Sequence, residues 1–383
     1  MATFSEEKQN QISIGFDAKR AFFNSSGLGN YSRNLLFALA ENYPENTYYL
    51  FTPKTKNRFI LANEDKFRLI TPGLFIHQLI HPLWRSLFMT NDIKRIKPDI
   101  FHGLSQELPA GIKKTGAKTV VTIHDLIFLR FPDFYGQINV YIYRKKMEYA
   151  CKVADKIVAI SSQTRDDLVH FLDVDSEKIE VILQGCNPIF QKKIPDEEYQ
   201  NIKFKYRLPD NYLLYVGTIE ERKNLLNILK SLKAKRIGIP LVAIGRKTDY
   251  YHKTIKPFLE NNKMNIIIFS QEVNNDELPA LYQNALCFIY PSFFEGFGIP
   301  ILEAITSGTP VITSKGGCFE ETGGPGSIYV DPQNPDEIGD AILQITGNQK
   351  LRSSLVEKGL GHARLFSSDQ VAKKYMNLYK ALI

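Results

Sequence analysis

Apolar residues along the first half of the chain gather into short runs: "QISIGFDA", "YYLFTP", "KTVVTIHDL", "KIVAIS" and "IEVIL". Between them lie segments whose apolar positions recur every three or four residues, such as "YSRNLLFALAENY" and "SQTRDDLVHFL". The runs read as buried strands and the periodic segments as helices. A polar stretch with three prolines, "PIFQKKIPDEEYQNIKFKYRLPDNY" (188–212), interrupts the alternation and reads as a linker. The pattern then restarts with "YLLYVG", "PLVAIG", "IIIFS", "CFIYPS", "PVITS" and "SIYVD", each followed by a helical segment or a Gly-bearing loop. Two successive β/α arrays imply an α/β chain with two doubly wound, Rossmann-like domains. The expected division is 1–190, 191–365 and a last helix over 366–383.

Composition adds limits rather than a function. A chain of 383 residues has room for two or three domains, and 44% hydrophobic with 23% charged residues fits a folded, soluble protein. The net charge of +7 suits nucleotides or an anionic surface. Without a motif it does not support a nucleic-acid partner. Cys151, Cys186, Cys287 and Cys318 form no CxxC pair and read as reduced core residues of a cytosolic protein. The opening "MATFSEEKQN" is polar and carries no secretory signal, and no apolar run reaches membrane-spanning length.

In open α/β sheets ligands bind beyond the carboxyl ends of strands, so the loops after the strands hold the candidates. "FNSSGLGNYSRNLL" places Gly27 and Gly29 ahead of a helix expected to open near Asn30. Their backbone N–H groups would approach a phosphate there, with a plain tight turn as the alternative. "VTIHDLIF" puts His124 at a strand end, with Asp125 beside it to orient the ring. In "YVGTIEERKNLLNIL" a strand ends at Gly217 and Thr218, and Arg222 and Lys223 precede a helix capped by Asn224. Two cations at a helix start oppose its dipole, which points to an anion between them. "VAIGRKTDY" repeats the pattern more weakly at Gly245 and Arg246.

"FEGFGIPILE" holds two acids eight positions apart, Glu295 and Glu303. On one helix they would lie roughly 80° apart around the axis and more than two turns apart along it. Pro300 favours a helix start near Ile299 instead, leaving Glu295 in the loop and Glu303 in the first helical turn. Gly296, Phe297 and Gly298 then offer open backbone between the two acids. "TSKGGCFEETGGPGS" marks a further tight turn or ligand-facing loop. Three signals are set aside. "DVD" at 173–175 reads as a turn rather than a metal–diphosphate motif. His77 and His81 lack a third ligand. The basic, Trp-bearing segment 81–99 reads as an amphipathic helix covering the sheet rather than a membrane-surface helix.

Together "GLGNYSRNL", "VTIHDL", "VGTIEERKNL", "FEGFGIPILEAITSGTPVITS" and "YVDPQNPDEI" resemble the retaining glycosyltransferases of family 4, over nearly the whole chain. That family has the GT-B fold, which implies an acceptor-binding Rossmann-like domain over 1–190 and a nucleotide-sugar-binding one over 191–365, facing a deep cleft, with the helix over 366–383 returning to the N-terminal domain. Within it, "VGT…RKNL" is most similar to bacterial surface-polysaccharide mannosyltransferases. The resemblance implies transfer of a hexose, with retention and no metal or other cofactor, from a nucleotide-diphosphate sugar to a glycan or lipid-linked acceptor. GDP-mannose is the expected donor and a UDP-sugar the alternative. Glu303 would hold the donor ribose, Glu295 the transferred sugar, and the Phe297–Ile299 backbone sugar or phosphate oxygens. Arg222 and Lys223 would neutralise the diphosphate, Gly29 would approach it, and His124 would face the sugar. Some members carry an arginine where this chain has Thr218, which shifts the phosphate role onto Arg222 and Lys223. Gln184 replaces the family's usual Asn, so its loop carries little weight. The implied location is cytoplasmic, with peripheral contact at the inner membrane face left open. The competing readings are a GT-B nucleotide-sugar 2-epimerase, an NAD-dependent enzyme and a non-catalytic nucleotide-sugar-binding protein.

Overall fold

A computed structural model describes residues 11–24, 27–54, 66–73, 84–264, 267–269 and 273–383. His77 and His81 lie outside them. The chain divides into two compact units: 1–185 together with 368–383, and 186–367. The first division follows Gly185, where the sequence reading put it at 190.

The first unit is built on a seven-stranded parallel sheet. Its strands are β1 (Ser13–Asp17), β2 (Thr47–Phe51), β3 (Phe67–Ile70), β4 (Ile100–Gly103), β5 (Lys118–Ile123), β6 (Lys156–Ala159) and β7 (Ile179–Val181). They run in the order β3-β2-β1-β4-β5-β6-β7. The inner strands are apolar on both faces, as a parallel sheet covered by helices on each side requires. β4, "IFHG", escapes the sequence reading because a histidine interrupts it. His102 is nonetheless fully buried, with Tyr379 Oη at 2.7 Å and Thr122 Oγ1 at 2.8 Å on its two ring nitrogens. Burial pushes the ring down to about 3, so it stays neutral.

Tyr379 comes from the Ser368–Lys380 helix, which packs on the Gly27–Asn42 helix within this unit. Tyr375 and Tyr379 are fully buried there, and Tyr375 Oη lies 2.6 Å from Tyr31 Oη. The segment around 84–96 folds as a π-helical turn, Trp84–Phe88, running into the Met89–Ile96 helix. Trp84 is fully buried, packed in a core with Met89, Ile93 and Phe101. A buried Trp84 does not anchor a membrane, and the helix covers the sheet. Among the described residues no helix is long and apolar enough to cross a membrane.

The second unit carries β8 (Leu213–Val216), β9 (Leu241–Ile244), β10 (Ile267–Phe269), β11 (Cys287–Tyr290), β12 (Val311–Ser314) and β13 (Ser327–Val330). These are parallel, in the order β10-β9-β8-β11-β12-β13. The expected linker 188–212 is no linker. It contains the helix Asp196–Tyr206 and belongs wholly to this unit. Its three acids in the first turn and Lys203 and Lys205 in the last complement the helix dipole, which outweighs the flanking prolines. The four cysteines are free and buried.

Candidate active site

In the second unit the strand order reverses between β8 and β11, the crevice where doubly wound sheets bind ligands. The loops after these two strands run together. Asn224, at φ 61° before the Leu225–Ala234 helix, donates through Nδ2 to the carbonyls of Pro291 at 2.9 Å and Pro332 at 2.7 Å. Phe293 N–H donates to the Arg222 carbonyl at 2.9 Å, and Ser292 Oγ lies 3.0 Å from the same carbonyl.

This lacing brings the predicted charges into one cluster. Lys223 Nζ lies 2.5 Å and Arg222 Nη1 3.0 Å from Glu295 Oε1. Ser292 Oγ at 2.8 Å and Tyr290 Oη at 2.9 Å donate to the same oxygen. Lys223 also donates to Tyr290 Oη, and Arg222 to the Phe294 carbonyl and Glu220. Burial would raise the Glu295 carboxyl, but Lys223 and then Arg222 outweigh it and hold it at about 2. Burial acts on Lys223 in the lowering sense, opposed by Glu295. The anion that two cations at a helix start call for is therefore supplied by the chain itself. Glu295 was expected to face the sugar; the structure shows it as the counter-ion of the pair. Two of the three Lys223 N–H donors are used in this way.

The Ile299–Thr306 helix opens after Gly298, whose φ of 99° is a left-handed value suited to glycine. Its first turn holds no acid. Glu303 is the fifth helical residue, so it lies in the second turn, not the first as expected. Burial raises its carboxyl to about 8, and Tyr282 Oη, donating to Oε2 at 3.1 Å, works against the rise. A file of rings joins the two acids. Tyr282 contacts Phe288 edge-on at 5.3 Å, and Phe288 stacks on Tyr290 at 5.7 Å. Phe297 is buried against Phe366, and its carbonyl accepts from Thr322 Oγ1 at 2.6 Å. Part of the Phe297–Ile299 backbone is thus already engaged, while the N–H groups that begin a helix have no partner within it.

Gly217 follows β8, with its N–H on the Ile244 carbonyl at 2.8 Å. The Thr218 carbonyl accepts from Tyr215 Oη at 3.3 Å. A Cβ on Gly245 would strike the Gly217 carbonyl, so this glycine lets two strand ends approach. Arg246 is exposed. Gly296 lies on the β11 loop beside Glu295. The "TSKGGC…" loop contains a short helix, Cys318–Gly323, and Gly316 N–H donates to Glu320 at 2.9 Å. Cys318 Sγ donates to the Glu295 carbonyl at 3.2 Å.

In the first unit the Gly27–Asn42 helix begins three residues before the expected Asn30, so Gly27 and Gly29 are helical. A Cβ on Gly29 would strike the Asn24 carbonyl, whereas one on Gly27 would meet nothing within 4 Å. His124 is buried, with Nε2 2.9 Å from the Leu104 carbonyl and Nδ1 3.4 Å from Gln184 Nε2. Leu104 and Gln184 hold the ring, in place of the expected Asp125, whose carboxylate accepts from Ile127 N–H at 3.2 Å. Burial lowers His124 to about 4, so it is neutral near pH 7. Asp173 is the C-cap of the Ser162–Leu172 helix and Asp175 the N-cap of the next turn, Ser176–Lys178. Sequence reasoning gave Gln184 little weight and missed Tyr290 and Tyr282. Position at a strand's carboxyl end was the available signal for Tyr290.

Two parallel, doubly wound units of this kind make a GT-B fold. The chain superposes on a glycosyltransferase from Rickettsia africae with TM-score 0.74 and 18% identity, covering 97% of this chain and 99% of that one. Residues 25–189 match the family model for glycosyltransferase family 4, and residues 198–361 match that for glycosyl transferases group 1. The chain belongs to the family 4 glycosyltransferases. It is 27% identical to the Escherichia coli O-antigen chain mannosyltransferase B, over 93% of this chain and 96% of that protein. It is 31% identical to the Salmonella typhimurium O-antigen chain mannosyltransferase RfbU, over 59% of this chain and 60% of that protein.

Proposed function

We propose that the protein moves a mannosyl group from GDP-mannose to a hydroxyl of a surface-polysaccharide or lipid-linked glycan, with retention and without a metal ion. The cationic pair Arg222 and Lys223 at the β8–β11 switch point carries this reading. The hard step is departure of a nucleotide diphosphate from an oxocarbenium-like centre, and fixed positive charge at the leaving group lowers that barrier. Donor arrival puts a second anion beside cations already paired with Glu295. Lys223 is then shared between the diphosphate and Glu295, which leaves Glu295 free to accept from sugar hydroxyls. Glu303 accepts from the vicinal ribose hydroxyls. Neutral His124 offers a hydrogen bond rather than a charge. The leaving phosphate takes the acceptor's proton in a front-face attack. The mannose and polysaccharide assignments rest on the similarity to the two bacterial O-antigen mannosyltransferases.

The test is a thermal-shift screen of GDP-, UDP- and ADP-sugars, followed by NMR of the product. A ligand that binds only the folded state raises the melting temperature by mass action. GDP-mannose is expected to give the largest rise, and the product an α linkage formed equally well in EDTA. A larger rise with another nucleotide sugar overturns the donor. Release of free nucleotide and a changed sugar without acceptor replaces the transferase reading with the epimerase one.

A further inference from the structure

His124 follows β5 directly, and both of its ring nitrogens meet the protein. The Leu104 carbonyl, 2.9 Å from Nε2, can only accept, so Nε2 carries the proton of the neutral ring. Nδ1 is then an acceptor, and the Gln184 amide reaches it only at 3.4 Å, a long hydrogen bond. Nδ1 is therefore the nitrogen that a substrate hydroxyl can claim. Bonds to ring nitrogens run close to the ring plane and restrain its tilt only weakly.

The tilt is restrained by Tyr31. Its ring meets the imidazole edge to face, with 86° between the planes and 4.6 Å between the centroids. That is a favoured arrangement for two aromatic rings. Tyr31 comes from the Gly27–Asn42 helix and is buried. Its hydroxyl is pinned twice. Thr122 Oγ1, on β5 two residues before His124, lies at 2.9 Å, and Tyr375 Oη, on the Ser368–Lys380 helix, at 2.6 Å. Thr122 in turn meets His102, whose other nitrogen meets Tyr379 of the same last helix. Burial, and then Tyr375, raise the Tyr31 phenol well above the usual tyrosine range. It stays protonated and is not itself a base for the reaction. A phenylalanine would fill the same space with no buried hydroxyl to satisfy. The hydroxyl adds an anchor at the far end of the ring, which stops the ring from swinging away from His124.

We propose that Tyr31 is a positioning residue. It holds the His124 imidazole at the tilt that presents Nδ1 to the transferred sugar, and the last helix, through Tyr375, holds Tyr31. The closing helix is then part of the apparatus that orients His124, as well as a cover for the core. That the imidazole serves sugar transfer rests on the proposed function; that Tyr31 fixes its tilt does not.

The experiment uses the whole chain with two readouts. Imidazole 15N shifts report which nitrogen of His124 carries the proton and are nearly insensitive to the removal of a neighbouring ring. Mannosyl transfer from GDP-mannose gives kcat and the donor KM separately. Tyr31→Leu removes the ring, and Tyr31→Phe restores it without its anchors. Tyr48→Phe is the comparison for a plain loss of stability, since its hydroxyl lies 2.8 Å from the Tyr43 carbonyl in the same core. The native chain is expected to show a single Nε2–H form. Tyr31→Leu should mix this with the Nδ1–H form and lower kcat roughly tenfold or more at unchanged donor KM, as misplacing a reacting group does. Tyr31→Phe should recover most of both, and Tyr48→Phe should match the native chain in both. Should Tyr31→Leu not fold, Tyr375→Phe, which cuts one anchor and leaves the ring in place, is read in the same way. A native tautomer pattern in Tyr31→Leu overturns the proposal. So does a fall in kcat no larger than that of Tyr48→Phe while His124→Ala is impaired. Mixed tautomers in Tyr31→Leu, with native turnover in both it and His124→Ala, would support the tilt assignment and remove His124 from the proposed function.

Discussion

Lys223 Nζ and Glu295 Oε1 meet at 2.5 Å where the loops after β8 and β11 run side by side, with each side chain about nine-tenths shielded. The contact sets two residues expected to face different parts of a donor against each other. The pair is unequal: Glu295 serves two cations, so its removal leaves Lys223 uncompensated, whereas removal of Lys223 leaves Glu295 with Arg222.

Glu295→Gln should therefore cost stability as well as activity. Breaking a buried ion pair by neutralising one partner costs about 3–5 kcal/mol, and here it leaves Lys223 without its anion and Arg222 with Glu220 alone. Denaturant unfolding of the ligand-free protein should show a loss of that order. Inorganic pyrophosphate should stabilise the variant more than the native chain, since it supplies the missing charge. A variant as stable as the native chain would contradict the counter-ion role.

Lys223→Met tests the other half. Arg222 still pairs with Glu295 at 3.0 Å, so the fold should survive. Transfer should fall by about 100-fold or more, the loss typical when one group stabilising a developing negative charge is removed. Turnover close to native would remove Lys223 from the leaving-group site.

The raised Glu303 carboxyl makes a pH prediction. A group whose pKa rises on folding from 4.5 to about 8 favours the folded state fully at low pH, and that contribution is lost as pH climbs through this window. In the proposed role Glu303 accepts from the ribose in its ionised form, so nucleotide binding should release a proton below about 8. The melting-temperature rise produced by GDP should grow as pH approaches 8. Glu303→Gln should flatten both trends. Identical pH profiles for the two proteins would refute the assignment.

Gly27 and Gly29 should respond in opposite ways to alanine. Gly29→Ala forces a methyl into the Asn24 carbonyl and should destabilise the first unit. Gly27→Ala meets open space in a helix and should be neutral or stabilising by up to about 1 kcal/mol. Thermal melting of the two variants separates them. Loss of donor binding in a stable Gly27→Ala protein would show that the phosphate does approach there.

Much of this architecture is written locally. All six strands of the second sheet appear as apolar runs, and the Ile299 helix start follows from Pro300 and Gly298. What stayed hidden depends on partners distant in the chain. β4 looks too polar until Tyr379 and Thr122 satisfy His102. The loop after β7 looks unremarkable until Gln184 meets His124, 60 positions away. Glu295 reads as a sugar ligand, and its second part as counter-ion shows only once the β8 loop brings Lys223 onto it. The glycine pair reads as a phosphate loop, and sequence does not show that Gly29 also has a packing reason in the Asn24 carbonyl. The helix in 188–212 was legible from its charges and was obscured only by the prolines around it.

The Tyr31–Tyr375 contact spans 344 positions, and the second unit, 186–367, is inserted whole between its two ends. During synthesis the first unit emerges with its core unfinished, since Tyr375 and Tyr379 arrive last. The inserted unit is continuous and can fold as soon as it is made. Domains generally fold in N-to-C order, but the core of the first unit is complete only once its closing helix, which follows the whole second unit, has been made. Until that helix docks, the Tyr31 face is open to chaperones or to the wrong neighbour.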